Sequence, residues 1–216
     1  MRLGIFGGTF NPIHMAHLRI AEAARESCAL EKVLFLPAAM PPHKASVSVS
    51  FAERCAMTRL AIAGNAAFEV NPLEGEREGR SYSVDTLELL HRARPLDEFF
   101  FIIGMDSWRE LESWKEWQRL FELAHIVVAP RPGYPAQTTD AGFLPIAAQN
   151  WFCYDEERGV WRHRSGNLLI PLEEMMLDIS SSRIRELAAQ KLSLRYLVPE
   201  SVHDYIGRHQ LYQHGT

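Results

Sequence analysis

The sequence predicts an α/β protein in which a parallel sheet is covered by helices on both faces. Segments with helical, amphipathic periodicity alternate along the chain with short, largely apolar segments. Such alternation is typical of parallel sheets, whose strands are buried on both sides. Polar loops rich in glycine and proline follow several apolar segments, as expected around a ligand site. The predicted strands occupy residues 2–6, 32–36, 68–70, 98–103 and 125–129.

The predicted helices fill the intervals between these strands. Asn11 is a favourable N-cap and Pro12 suits the first helical position, so we expect the first helix to run from there to about Ser27. The fold class is therefore α/β, a Rossmann-like doubly wound parallel sheet with a small C-terminal helical part. The further predicted helices occupy residues 51–63, 83–94, 111–123, 183–190 and 202–209.

One long segment does not follow this pattern. A chain of 216 residues fits one domain, and we expect residues 1–216 to form a single domain. Within it, residues 135–177 are predicted to be an irregular insertion of unassigned role, and residues 181–212 a C-terminal helical subregion. The strand candidates inside the insertion are residues 143–146, 151–154 and 168–170.

Composition excludes several classes of protein. The net charge of −4 argues against a nucleic-acid partner, since such proteins usually carry a basic surface. Three cysteines without a CxxC pair fit a reducing, cytoplasmic compartment. No apolar run reaches the roughly 18 residues that span a membrane, and the N-terminus lacks a signal-peptide pattern. Both a monomer and a homo-oligomer remain open.

The first loop has the features of a nucleotide-phosphate cradle. Gly7 and Gly8 follow a buried strand, and glycine lets the backbone approach a ligand closely. The first N–H groups of the next helix favour an anion, and His14 and His17 are predicted to share one face of it. The loop matches neither the Walker motif nor the dinucleotide fingerprint. A tight turn with incidental histidines is the alternative.

Similar loops follow three other predicted strands. They occupy residues 37–44, 104–108 and 130–134. Open parallel sheets bind ligands beyond the carboxyl ends of their strands. We therefore expect these loops and the first one to converge on one crevice.

Two motifs near the ends of the chain carry a resemblance to a known family. GGTFNPIHMAH at residues 7–17 is similar to the GGTFDPxHxGH opening of the adenylyltransferases with a T/HxGH motif, and ISSSRIR at residues 179–185 is similar to their second ATP signature. Shorter loops resemble those of the bacterial nicotinate-nucleotide adenylyltransferases. These loops are PPHK, SYS, GMD and RPG at residues 41–44, 81–83, 104–106 and 131–133.

The resemblance implies adenylyl transfer from ATP to nicotinate mononucleotide, giving nicotinate adenine dinucleotide and pyrophosphate in NAD biosynthesis. His14, His17 and Arg185 would be the catalytic residues, binding phosphates and favouring charge at the α-phosphate. Asp106 would accept from a ribose hydroxyl. The residues implied in ATP binding are Gly7, Gly8, Thr9, Phe10, Gly104, Asp106, Ile179, Ser180 and Ser182.

The acceptor would need a slot for its base and a site for its phosphate. The resemblance places Trp114 against the pyridine ring, although Trp108 and Trp117 are nearby alternatives. Ser83, with backbone amides near Trp114, would hold the nicotinate carboxylate. The remaining predicted substrate-binding residues, for the mononucleotide phosphate, are Lys44 and Arg131.

Adenylyl transfer requires that the protein position the two substrates and stabilise their charge. A phosphate monoester has a second pKa of about 6, so the attacking phosphate is already anionic near pH 7 and needs no general base. The protein must align two anions and offset their repulsion. Mg²⁺ is expected on the ATP phosphates, with no metal ligand from protein side chains.

Three positions depart from the family pattern: Asn11 replaces Asp, Ala16 replaces the Gly of HxGH, and Ser83 stands where Thr is common. A methyl group at Ala16 would crowd the nucleotide. The alternatives left open are another acceptor, such as nicotinamide mononucleotide or phosphopantetheine, and an ATP-sensing module without turnover. A fragment of an aminoacyl-tRNA synthetase is disfavoured by the short chain, the acidic charge and the lack of a KMSKS-like loop.

Overall fold

Eight strands form one mixed sheet at the centre of the protein. The structure is a computed structural model and describes residues 1–42, 49–130, 139–173 and 177–213. The strands follow one another across the sheet in the order β3-β2-β1-β4-β5-β8-β7-β6. They are β1 (Arg2–Gly8), β2 (Lys32–Pro37), β3 (Phe68–Val70), β4 (Glu98–Gly104), β5 (His125–Ala129), β6 (Phe152–Asp155), β7 (Val160–His163) and β8 (Leu168–Pro171).

The direction of chain progression reverses between β1 and β4. From β3 to β8 all neighbouring strands are parallel, and β1 pairs with β2 on one side and with β4 on the other. A crevice opens at such a reversal, beyond the carboxyl ends of the strands. Gly7 and Gly8 end β1, and Gly104 ends β4, so the glycine loops predicted to bind the ligand border this crevice.

Helices cover both faces of the sheet, as the sequence predicts. Helices α1, α2, α6 and α7 pack on one face, where Phe35 and Ile184 are completely buried. Helices α3, α4 and α5 pack on the other, around Leu87 and Phe121. No helix in the described part of the chain is both long and apolar enough to cross a membrane. The helices are α1 (Met15–Ser27), α2 (Phe51–Ile62), α3 (Ser83–Ala93), α4 (Met105–Arg109), α5 (Trp117–Leu123), α6 (Ser181–Ala189) and α7 (Glu200–Arg208).

The segment predicted to be an irregular insertion instead extends the sheet. Strands β6 and β7 form an antiparallel hairpin, and β8 joins this hairpin to β5. The candidates at residues 151–154 and 168–170 are thus confirmed to within one residue. Residues 143–146 are not a strand, because 3₁₀ turns occupy both ends of this stretch. The prediction of an entirely parallel sheet is wrong for β6 and β7, whose short strands carry a mixed pattern of burial.

The helix predicted at residues 111–123 is broken in two. A 3₁₀ turn at Leu111–Ser113 is followed by extended Trp114 and by Glu116, whose φ of 46° is left-handed. Helix α5 begins only after this break. A left-handed residue without glycine is uncommon, so the sequence offers no signal for the interruption.

Candidate active site

Two adjoining cavities open at the reversal point of the sheet. The larger has a volume of about 520 Å³ and the smaller about 350 Å³. Four residues line both cavities and form their common wall: Phe6, Gly7, Gly104 and Ser107. A Cβ added at Gly104 would meet no atom within 4 Å. A side chain at this position would therefore extend into the open space of the cavities.

Two stacked histidines stand at the start of α1 in the wall of the larger cavity. The ring centroids of His14 and His17 are 3.6 Å apart. His17 Nδ1 accepts a hydrogen bond from the backbone N–H of His14 at 3.2 Å. The neutral ring of His17 therefore carries its proton on Nε2, and protonating Nδ1 would set two N–H groups against each other. Phe6 and Phe10 pack edgewise against the same ring.

Both histidines are held in the neutral form. Burial lowers the pKa of His14 to about 4. Burial and, to a lesser extent, the neighbouring His14 ring lower the pKa of His17. In the free protein at pH 7 the pair is therefore a set of hydrogen-bond donors and not a pair of cations. An anion in the cavity would favour protonation of His14, whose Nδ1 has no hydrogen-bond partner in the described structure.

The start of α6 faces the same cavity. Ser180 is the N-cap, and its Oγ accepts from the Arg183 N–H at 3.2 Å. The hydroxyl protons of Ser180 and Ser182 can still be donated, beside the N–H groups of the first turn. Two helix N-termini, α1 and α6, thus flank one cavity, an arrangement that favours an anion.

Tertiary hydrogen bonds hold the turn between β1 and α1. Arg185 donates to the Asn11 carbonyl at 2.9 Å, and Ser181 donates to the Pro12 carbonyl at 2.8 Å. The hydroxyl of Tyr212 donates to Oδ1 of Asn11 at 2.7 Å. The C-terminal part of the chain therefore fixes the turn that begins the site.

The smaller cavity combines a helix N-terminus with an aromatic ring. Ser83 is the first residue of α3, so its backbone N–H lies among those without an intrahelical partner. Trp114 lines the same cavity, and its ring meets that of Phe101 edgewise at 6.4 Å. The break at Glu116 separates Trp114 from Trp117, which is buried in the core at 7% exposure. The cavity can thus take an anionic group and a flat ring together.

Comparison with known proteins places this architecture in a family. A profile of the cytidylyltransferase-like family matches residues 5–187. A nicotinate-nucleotide adenylyltransferase of Syntrophotalea carbinolica is 56% identical over 99% of this chain and 98% of its own length. The chain belongs to this family. A nicotinate-nucleotide adenylyltransferase of Geobacter sulfurreducens is 51% identical, over 99% of both chains.

A solved structure has the same fold as this member of the nicotinate-nucleotide adenylyltransferase family. The Plasmodium falciparum nicotinic acid mononucleotide adenylyltransferase complexed with NaAD superposes with a TM-score of 0.76. The two chains are 19% identical, and the match covers 98% of this chain and 97% of that one. The Rossmann-like α/β fold predicted from the sequence is thereby confirmed.

Most residues predicted for ATP lie together in this adenylyltransferase. The larger cavity is lined by residues from all the predicted ATP loops. Gly8 and Thr9 line the smaller cavity instead. Arg185 is outside the wall, where it donates to Asn11 and to Ser182 Oγ. The predicted residues that line the larger cavity are Gly7, His14, His17, Gly104, Asp106, Ile179, Ser180 and Ser182.

The structure changes the interpretation of two residues in the first turn. The side chain of Phe10 is only 2% exposed and packs against Phe6 and Phe35, so a contact between Phe10 and a nucleotide would have to use its backbone, and the assignment stays a prediction. Asn11 and Pro12 do not begin α1, because the helix starts at Met15 with His14 as its N-cap. The side chain of Asn11 is engaged by Tyr212, and a local capping rule could not anticipate that distant partner.

Two of the residues predicted to bind the acceptor lie in the described part of the chain, and two lie outside it. Ser83 and Trp114 line the smaller cavity, while Trp108 and Trp117 are core residues. Lys44 and Arg131 lie outside the described residues, and their assignment to the mononucleotide phosphate stays a prediction.

Sequence reasoning missed several polar residues in the walls, among them Ser107, Lys115 and Glu74. Ser107 is common to both cavities, and Lys115 and Glu74 line the smaller one. Ser107 was within a loop that the sequence singled out. Lys115 forms an ion pair with Asp85 at 2.7 Å, and Glu74 is a buried carboxylate whose pKa is raised by burial. Nothing in the local sequence distinguishes these two from surface charges.

The stability of the unliganded protein should fall in weak acid because of His14. Between about pH 6.5 and pH 4 the unfolded chain protonates this histidine and the folded chain does not. The stability that His14 contributes is thus complete above pH 6.5 and is lost as the pH falls through that window. The part of the loss by pH 5 that comes from His14 should be about 2 kcal/mol. Urea unfolding at pH 7.5 and pH 5 measures the total loss, to which His17 also contributes, and His14→Gln should lose about 2 kcal/mol less than the wild type. The matched control is His203→Gln, a half-buried histidine of α7 that lines neither cavity of the candidate site. Equal pH dependence in wild type and His14→Gln would contradict the assignment.

Proposed function

We propose that this protein transfers the adenylyl group of ATP to nicotinate mononucleotide, releasing pyrophosphate and nicotinate adenine dinucleotide. The observation that carries the proposal is the common wall of the two cavities, at Phe6, Gly7, Gly104 and Ser107. Two substrates bound on either side of this wall meet at the glycines. We also propose that residues 1–216 act as one nucleotidyltransferase domain in the cytoplasm.

ATP would occupy the larger cavity. Its phosphates would accept from His17 Nε2, from His14 and from the hydroxyl groups and N–H groups at the start of α6. Gly7 and Gly104 leave the backbone open to close approach. Asp106 lines this cavity and would accept from a ribose hydroxyl.

Magnesium would enter with the ATP phosphates. Within the described ranges no group of three histidine, cysteine or carboxylate side chains is placed to hold a metal ion. Asp106 and Asp178 line the larger cavity and are the carboxylates through which the chain would contact a hydrated ion. Magnesium would neutralise charge on the triphosphate and stabilise the leaving pyrophosphate.

Nicotinate mononucleotide would occupy the smaller cavity. Its carboxylate would accept from the hydroxyl and N–H groups at the start of α3, and its ring would stack on Trp114. Its phosphate oxygen would then attack the α-phosphorus, forming one P–O bond while the bond to pyrophosphate breaks. No proton has to be removed from the nucleophile. The neutral, preorganised donors of the histidine pair suit a reaction whose requirement is charge stabilisation.

A pyrophosphate-release assay with ATP and Mg²⁺ tests the proposal. The panel of acceptors is nicotinate mononucleotide, nicotinamide mononucleotide and phosphopantetheine, with a reaction lacking acceptor as the control. We expect release with nicotinate mononucleotide and formation of the dinucleotide in equal amount. Release with only a different acceptor would refute the assignment of substrate. ATP binding without release from any acceptor would indicate a sensing module.

The methyl group of Ala16 should not improve ATP binding. Ala16 lies in the first turn of α1, is buried and lines the larger cavity. If the methyl crowds the nucleotide, Ala16→Gly should bind ATP at least as tightly as the wild type, despite a helix cost of about 1 kcal/mol. Calorimetric titration with a non-hydrolysable ATP analogue measures this. Ala21→Gly, on the core side of the same helix, reproduces the helix cost alone. Weaker binding by a stably folded Ala16→Gly protein would reject crowding.

A further inference from the structure

A single buried guanidinium joins two walls of the smaller cavity. Arg54 in α2 is 1% exposed. Its Nη1 donates to the Thr9 carbonyl at 2.7 Å, its Nε to the Val49 carbonyl at 3.3 Å and its Nη2 to the Ala39 carbonyl at 3.4 Å. Among the described residues it forms no ion pair within 4 Å of a carboxylate. Its hydrogen-bonding capacity is thus used on backbone carbonyls from three segments.

One of these carbonyls belongs to a residue of the cavity wall, and a second belongs to a residue next to that wall. Thr9 lines the smaller cavity directly, and Ala39 lies between Ala38 and Pro41, which also line it. The third, Val49, belongs to the residues that precede α2. Arg54 therefore fastens the turn after β1 to the segment after β2, and anchors both to a helix.

The segment after β2 passes this restraint on to the start of α3. The backbone N–H of Met40 donates to Ser81 Oγ at 3.1 Å, and the Ser81 N–H donates to the Met40 carbonyl at 3.0 Å. Ser81 precedes Ser83 by two residues. The hydrogen bonds from Arg54 thus extend, through Ala39 and Met40, to the donors that face a ligand in this cavity.

Burying a cation in order to hold a loop is unfavourable in free energy. Burial of an unpaired charge carries a large desolvation penalty, and burial lowers the pKa of Arg54. A neutral side chain could satisfy two carbonyls, but the planar fork of arginine reaches three in fixed directions. Glu74 is a buried carboxylate in the wall of the same cavity, and the positive charge of Arg54 partly offsets its negative charge there.

We propose that Arg54 is a positioning residue for the acceptor, one that holds the wall of the smaller cavity in its binding geometry. The inference rests on the proposed function, since it takes the smaller cavity as the site of nicotinate mononucleotide. It assigns Arg54 no contact with ATP or with the reacting atoms. Loss of the guanidinium should therefore act on the acceptor and leave ATP binding largely intact.

Steady-state kinetics of the full-length Arg54→Met and Arg54→Lys proteins test this. For Arg54→Met, the KM for nicotinate mononucleotide should rise about 10-fold or more, because hydrogen bonds from a charged donor are lost. The KM for ATP should change by less than about 3-fold. Arg54→Lys retains the charge and loses the fork, so it should recover only part of the acceptor affinity. The control is Met57→Ala, which removes a fully buried core side chain from the same helix and should destabilise the protein without selective loss of acceptor binding.

The outcomes separate the inference from the function on which it depends. Wild-type protein without turnover of nicotinate mononucleotide would refute the proposed function. An active wild type with an unchanged acceptor KM in Arg54→Met, or with equal rises in both KM values, would overturn the role of Arg54. If Arg54→Met does not fold, the acceptor KM of Arg54→Lys is the deciding measurement. A value equal to that of the wild type would refute the proposal that the guanidinium fork positions the cavity wall.

Discussion

Replacement of His17 by alanine should lower kcat by about 10²-fold or more, the effect of removing a preorganised donor from a developing charge. His17 Nδ1 is committed to the backbone N–H of His14, so the donor that disappears is the Nε2–H in the larger cavity. The fold should survive, because the sheet and its core do not depend on this ring. Pyrophosphate release under saturating ATP and acceptor measures kcat.

Two measurements make this expectation specific. His203→Ala, at a half-buried position of α7 away from both cavities, should retain wild-type turnover. Thermal unfolding of His17→Ala should show a cooperative transition close to that of the wild type. Near wild-type kcat in a folded His17→Ala protein would remove His17 from the mechanism.

The kcat/KM for nicotinate mononucleotide should exceed that for nicotinamide mononucleotide by at least about 10²-fold, or about 2.7 kcal/mol of differential transition-state binding. A carboxylate only accepts hydrogen bonds, and the start of α3 offers it donors, the Ser83 hydroxyl and the neighbouring backbone amides. The NH₂ group of the amide would face those donors and leave them unpaired. Sites built on buried hydrogen bonds discriminate strongly for this reason.

Two variants test which side chains produce the preference for nicotinate mononucleotide over nicotinamide mononucleotide. Ser83→Ala should narrow the ratio of the two kcat/KM values, since one donor to the carboxylate is lost. Trp114→Ala should weaken both acceptors similarly, because stacking does not depend on the substituent. Ser201→Ala, on α7, is the remote control. Comparable kcat/KM values for both acceptors in the wild type would overturn the nicotinate assignment and leave adenylyl transfer intact.

Features encoded by local periodicity were predictable from the sequence. Residues 125–129 form a strand with the predicted bounds, and α3 ends within one residue of its predicted end. The convergence of the glycine loops was also predictable, because carboxyl ends of parallel strands share one edge of a sheet. The two cavities at Gly7 and Gly104 lie at that edge.

Features that depend on distant partners were not predictable. Asn11 does not cap the helix, and its side chain instead accepts a hydrogen bond from the hydroxyl of Tyr212, 201 residues further along the chain. Trp114 turns to the cavity and Trp117 to the core only because the helix breaks at Glu116. Arg54 has the sequence context of an ordinary helical surface arginine, and its burial follows from the carbonyls that the folded loops bring to it.

The turn between β1 and α1 has consequences for how the protein is made. Its carbonyl and amide groups bond to side chains 169, 174 and 201 positions further along the chain. At the usual speed of translation, the turn is therefore synthesised roughly 10 to 40 s before its last partner. A nascent or prematurely terminated chain can pair β1 with β2 but cannot complete the turn. The larger cavity, which Ser181 also lines, is therefore complete only after these distant partners have been synthesised.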